Sequence, residues 1–173
     1  MSGSWSIDNG VHRRWRDSGI GEHFKKYWPD PASTAYNPWN DSEARPKTPL
    51  PFVVYEKGVS VKQGESTGSQ CEQTVKVEYW RVPITFRIHA ATPKPDRVGY
   101  GLTGKQIAEE LAKLIVATYQ DSAGRLDLDD DDRHIQTHIG EDHHVREDDD
   151  VWLWIIQLDI DLERRRTMRL AGQ

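Results

Sequence analysis

The stretch Val151-Trp152-Leu153-Trp154-Ile155-Ile156-Gln157-Leu158-Asp159-Ile160-Asp161-Leu162-Glu163-Arg164-Arg165-Arg166 begins apolar at every position and ends in strict alternation. At period two, Trp152, Trp154, Ile156, Leu158, Ile160 and Leu162 share one side. On the other side Val151, Leu153 and Ile155 give way to Gln157, Asp159, Asp161 and Glu163. This pattern predicts a strand with one face in the core throughout and a second face covered at its beginning and wet toward its end. Burial of the six even-numbered side chains contributes roughly 10 to 18 kcal/mol before chain entropy is subtracted.

Working outward, the length of 173 residues fits one domain with decorations and one core. A mean hydropathy of −0.78 with 29% charged residues describes a polar chain, and its seven Trp and six Tyr point to a compact aromatic core. No run approaches the ~18 apolar residues of a membrane helix. The start, Met-Ser-Gly-Ser-Trp-Ser-Ile-Asp, lacks a basic region followed by an apolar run, which predicts no secretory signal and synthesis that ends in a cytosol. Cys71 is the single cysteine, so an internal disulfide and a multi-cysteine zinc site are excluded. A net charge of −5 argues against general affinity for nucleic acid.

Ile20, Phe24, Tyr27 and Trp28 follow helical spacing and predict a short helix that stops at Pro29, behind a positive arm over residues 1–19 that carries His12, Arg13, Arg14 and Arg16. The arm either orders on assembly or frays. Prolines 29, 31, 38, 46, 49 and 51 make the following segment a series of extended pieces and turns, in which Tyr36 and Trp39 suggest a loop pinned to a surface. Loops of this length are more often functional or interfacial than idle.

Residues 52–57 read as a strand and 58–69 as a polar turn region. From Val75 to Ala90 runs a long strand with Trp80, Val82, Ile84, Phe86 and Ile88 on one face and Arg81, Thr85, Arg87 and His89 on the other. Val75 and Val77 stand in the opposite phase, which predicts a bulge or twist near Tyr79. Pro83 cannot donate to a ladder, which predicts an edge there or a non-bonding position. Thr103-Gly104-Lys105-Gln106 matches a capping box, and Ile107, Leu111, Leu114, Ile115 and Tyr119 form the apolar stripe of the helix it opens, ending near Gly124. His134, Gln136 and His138 alternate with Ile135, Thr137 and Ile139 as a third strand, and 140–150 reads as a charged hairpin loop. The expected fold is α+β, a mostly antiparallel four-stranded sheet packed against two helices, with long loops and an N-terminal arm. The domain covers 20–166 and 167–173 form a C-terminal tail.

Several stretches together resemble the tail terminator (tail completion) proteins of long-tailed phages. They are Glu22-His23-Phe24, Tyr36-Asn37-Pro38-Trp39, Pro51-Phe52-Val53-Val54-Tyr55-Glu56, Ile84-Thr85-Phe86-Arg87-Ile88, Gly101-Leu102-Thr103-Gly104 and the Trp152-to-Leu162 strand. The resemblance covers most of 20–166 by pattern and order. It implies a non-enzymatic virion protein, assembled in the bacterial host cytoplasm, that forms a hexameric ring of copies of itself on the head-proximal end of the tail tube. Such a ring ends tube polymerisation and joins the tail to the head. The implied partners are the tail tube protein and a head-tail connector or stopper protein, with DNA passing through the channel without specific binding, no membrane and no cofactor. The arm before Ile20, a long hairpin over 58–74 and the acid and histidine loop depart from the family pattern.

A closed ring needs two different patches on each subunit, for which the candidates are Tyr36 and Trp39 in the proline loop and Pro83, Arg81 and Arg87 on the long strand. The alternative is that Tyr36 and Trp39 pin the loop to their own domain. Asp127, Asp129, Asp130, Asp131 and Asp132 fail as a calcium loop, because Asp132 stands where such a loop has glycine and His138 where it has glutamate. Either they keep the surface solvated, or Asp129, Asp130, Asp131, Asp148 and Asp149 line a channel and repel passing DNA. His134, His138, His143 and His144 are the one metal-like set, with His134 and His138 expected on one side of a strand and Ile135 standing where a zincin has glutamate. Polar histidines on a wet strand are the ordinary alternative, and with acids adjacent they would respond to mildly acidic pH. Phosphate-cradling glycines, a serine nucleophile elbow and a partnered cysteine are missing from the sequence. The competing functions are another neck or head-tail connector component, and a metal-dependent hydrolase using the histidine and acid loop.

Overall fold

A computed structural model describes residues 3–34, 36–40, 48–70, 73–120, 125–128 and 131–168. The chain folds as α1 (Gly3–Ser18), α2 (Ile20–Lys25), β1 (Trp39–Asn40), β2 (Phe52–Lys57), β3 (Val61–Gln70), β4 (Gln73–Ala91), α3 (Gly104–Gln120), β5 (Asp132–Arg146) and β6 (Val151–Met168). It is an α+β fold on a mostly antiparallel sheet. Six strands and three helices are described, against the four and two expected, with strand order β1-β2-β4-β6-β5 and β3 beside β4.

β6 lies between β4 and β5. Its ladder with β4 runs without a register shift from Ala91↔Val151 to Thr74↔Met168. Ile156, Leu158, Ile160 and Leu162 are buried against Val82, Ile84, Phe86 and Ile88 and under the Ile107, Leu111 and Ile115 stripe of α3. Trp154 packs against that core, and the Lys105 ammonium sits 5.6 Å from the Trp152 ring centre. The opposite side of β6 differs from expectation: Val151, Leu153 and Ile155 are half-buried and face away from the helices, on a face that the described residues leave open.

The N-terminal arm is in fact a helix. Ile7, Val11 and Trp15, spaced by four, form its buried stripe, and they join the core beside Phe24, Trp39 and Tyr119. Tyr119 Oη donates to the Val11 carbonyl at 2.9 Å, Arg14 Nε donates to Thr118 O at 2.9 Å, and Asp8 accepts from Tyr55 Oη at 2.8 Å and Lys57 Nζ at 2.7 Å. Gly19 breaks the run with φ of 69° and starts α2, whose Ile20 and Phe24 are buried as the spacing predicts.

The segment 58–69 is likewise not a turn region, since β3 pairs with β4 from Val61↔Arg81 to Gln70↔Gln73. The irregularity expected near Tyr79 lies across from it, on β3, where the register shifts between Lys62 and Gly64. Val75 and Val77 keep the phase of Arg81. The helix-side positions become polar there, with Glu78 buried between Lys76 at 3.3 Å and the indole N–H of Trp80 at 3.2 Å. Pro83 is not at an edge: β6 flanks it on one side through Asp159, and on the other β2 ends opposite Ile84 while β3 begins opposite Arg81. The missing N–H falls in the gap between β2 and β3, where Gly58 N donates to Pro83 O at 2.8 Å. The capping box forms as expected, Thr103 N donating to Gln106 Oε1 at 2.8 Å and Gln106 N to Thr103 Oγ1 at 3.2 Å. The third strand is longer than predicted, because β5 continues through the charged residues to Arg146 and leaves a short turn before β6.

Candidate interaction surfaces

Helices cover one face of the sheet, so the alternation of β4, β5 and β6 sends every second side chain to an open face. Arg81, Pro83 and Arg87, named from sequence as interface candidates, all stand there. Asp161 of β6 is its electrostatic centre. The carboxylate accepts from Arg81 Nε at 2.7 Å and Arg81 Nη2 at 3.0 Å on β4, and from Gln136 Nε2 at 3.1 Å on β5. His138 Nε2 lies 3.0 Å from it. The Arg81 hydrogen bonds, reinforced by those from Gln136 and His138, pull the Asp161 pKa down to about 2 against the cost of desolvation. Arg87 pairs with Glu56 at 2.5 Å, and beside them Phe52 stacks on His89 at 4.7 Å. Toward the β5–β6 turn the same face turns apolar, with Leu153 and Ile155 half-buried and Val145 exposed.

The proline loop divides its two aromatics. Trp39 is 6% exposed, stacks on Tyr55 at 4.9 Å, and meets Trp15 at 4.7 Å and Phe86 at 5.6 Å edge-on. It is core, pinning its own loop, and is not available as an interface residue. Tyr36 is 38% exposed and remains on the surface.

The acidic candidates do not form one wall. Asp131 precedes β5, while Asp148 and Asp149 lie in the turn after it, so the 15 residues of β5 hold them apart by roughly 40–45 Å. Asp148 and Asp149 are exposed, and their turn is fastened by Arg146 Nη2 donating to Asp149 O at 2.8 Å. Asp129 and Asp130 fall outside the described residues, as does Cys71.

The histidines also part. A register shift between His134 and Gln136 makes Ile135 an extra residue, so His134 opposes Leu162 on the helix side while His138 opposes Asp159 on the open face. The expectation that both project to one side is therefore overturned by a bulge. His134 is buried, its Nδ1 accepting from Leu126 N at 3.0 Å and its Nε2 lying 2.9 Å from Thr137 Oγ1. That tautomer is neutral, and burial holds its pKa below the ordinary histidine value. His143 faces the open side, and His144 on the other face stacks on Trp154 at 4.9 Å. Among the described residues, no group of three or more His, Cys, Asp or Glu could hold a metal ion.

Two surface features lie outside the residues singled out from the sequence. Val98, Tyr100 and Leu102 are exposed at alternate positions of that loop. A groove opens between α3 and β5, lined by Ala112, Val116, Ala117, Ile139 and Trp154. Alternating apolar residues between glycines could have shown the first; nothing local in the sequence shows the second, which exists because α3 lies mainly over β4 and β6 and meets β5 less closely.

Compared with protein-family models and with curated proteins, the chain matches none. No helix among the described residues is long and apolar enough to cross a membrane.

Proposed function

We propose that this chain is a structural subunit of a phage tail, of the tail terminator kind, acting as a ring of like copies at the head-proximal end of the tail tube. The observation that carries this reading is the one-sided sheet. Its core is complete beneath the helices, yet β4, β5 and β6 present an uncovered face on which an apolar end adjoins ordered ion pairs. That mixture of half-buried apolar side chains and fixed polar groups is the composition of protein–protein interfaces. Support comes also from the order of elements that resembles the family, and from the polar residues that could have suggested catalysis being engaged with one another or separated by the β5 bulge. In this role the chain contributes shape and contacts, and no reaction. Its partners are itself, the tail tube protein and the connector or stopper above it, in the virion.

Native mass measurement with negative-stain imaging, alone and with purified tail tubes, tests the reading. Six-fold rings capping one end of each tube are expected. Binding to the head side alone would assign the chain to the connector instead, and a chain that stays monomeric and ignores tubes would overturn both.

A further inference from the structure

The loop 92–103 is built to hold apolar side chains in water. Arg97 N donates to Lys94 O at 3.0 Å, Tyr100 N to Arg97 O at 3.2 Å and Leu102 N to Gly99 O at 2.9 Å, so successive turns fix the backbone. Gly99 and Gly101 take φ of 84° and 99°, a conformation side chains disfavour, and a Cβ at Gly99 would stand 2.8 Å from the Tyr27 ring. Tyr27 is held in turn by Glu110 on α3 at 3.0 Å. On this rigid base Val98, Tyr100 and Leu102 are 57%, 65% and 36% exposed. The result is a preorganised apolar knob that loses little freedom on binding.

The α3–β5 groove is the matching hollow. Its volume of about 290 Å³ is about twice the ~150 Å³ of an apolar cavity that takes up benzene, room for an aromatic ring with an aliphatic neighbour. Its floor is Ala112, Val116, Ala117, Ile139 and Trp154. At its rim Glu109 is paired with Lys113 at 2.7 Å, which leaves Asp142, an acceptor for the Trp154 indole N–H, as the surplus negative charge; beside the knob Arg97 meets Asp96 at 3.9 Å, which leaves Lys94 as the surplus positive one. The charges are therefore complementary. A chain does not fill its own groove, because the knob is rooted on Tyr27 at the α2 side of α3 and the groove opens on the β5 side.

We infer that residues 98–102 of one copy seat in the α3–β5 groove of the next copy, with Tyr100 as the buried anchor. Knob and groove are different surfaces of one chain, so the contact is head-to-tail and propagates until it closes. This rests on the ring reading, names the contact that makes the ring, and leaves the open sheet face to the tube or connector partner.

Two variants test it. Tyr100→Asp spoils the knob, and Ala117→Arg fills the groove; both positions are exposed, and circular dichroism checks that each variant folds. In sedimentation velocity each alone raises the concentration of half-assembly about tenfold or more. Mixed in equal amounts, they form a one-to-one dimer and nothing larger, since each retains the half that the other lacks. Variants that assemble like the wild type, or a mixture that gives no dimer, overturn the inference and leave the ring reading standing. Rings that persist in Tyr100→Asp but no longer cap tubes assign the knob to the tube and also overturn it. A wild-type chain that sediments as a monomer at every concentration, with and without tubes, overturns both.

Discussion

Arg81 on β4 grips Asp161 on β6 with two hydrogen bonds, Nε to Oδ1 at 2.7 Å and Nη2 to Oδ2 at 3.0 Å, directly across the central ladder. This pair marks the middle of the open face, because Gln136 and His138 of β5 reach the same carboxylate and tie three strands together there. Such a two-pronged pair is stiffer than a single contact.

Asp161→Asn removes that tie. The folded-state pKa of about 2 lies below the ordinary aspartate value, so the stabilisation is complete above about pH 4 and disappears as pH falls toward 2. With Arg81 partly open to water, screening limits the effect to about 1 kcal/mol. Urea unfolding at pH 7 should show the variant weaker by that amount, and the gap between variant and wild type should narrow steadily from pH 4 to pH 2.5.

Trp39 and Tyr36, three residues apart, should respond oppositely to truncation. Trp39→Ala opens a cavity among Trp15, Tyr55 and Phe86 and should cost about 3–5 kcal/mol. Tyr36→Ala should stay within about 0.5 kcal/mol. Thermal melts of the two variants check both values, and equal losses would contradict the placement of Trp39 in the core.

His134 is neutral when folded because its ring is buried and its Nδ1 is used as an acceptor. The unfolded chain takes up a proton near pH 6.5, so on the acid side it binds more protons than the folded chain at this residue and is favoured by them. Wild-type stability should therefore fall between pH 7 and pH 5. His134→Gln, which has no such proton to take up, should show a flatter profile over that window in chemical unfolding.

Thr103 closes the capping box at the start of α3. Thr103→Ala leaves Gln106 N without its side-chain acceptor and should lower stability by about 1 kcal/mol. Hydrogen exchange should speed up in the first turn of α3 and remain unchanged around Ile115.

How much of this could be read from residues alone depended on where each residue's partner lay. β6, the β4 face of Trp80 to Ile88 and the α3 stripe are visible because their periodicity is local and strong. α1 escaped because Ile7, Val11 and Trp15 are widely spaced among polar residues, and Gly10 interrupts the run; that glycine is there because the helix packs tightly on Leu128, 2.7 Å from an added Cβ. β3 escaped because Gly64 and Gly68 and its polar residues mimic turn chemistry, while its pairing is set by β4. Pro83 misled because a proline's tolerance depends on which side its missing N–H would face, and that side happens to hold the gap between two strands. Of the proposed surface residues, Arg81 and Arg87 stand on the open face, whereas the division between Trp39 and Tyr36 and the splitting of the histidines by Ile135 follow from tertiary packing and a single inserted residue.

The unbroken β4–β6 ladder pairs residue 74 with residue 168, and even its nearest pair, Ala91 with Val151, spans 60 positions of chain. Contacts that distant form slowly, because a long loop must close before any of them rewards the closure. During synthesis the earlier helices and the β3–β4 ribbon therefore wait, their greasy sides bare, until β6 has been made. Maturation of the subunit is tied to the synthesis of β6, and termination upstream of that strand should yield chains destined for proteolysis.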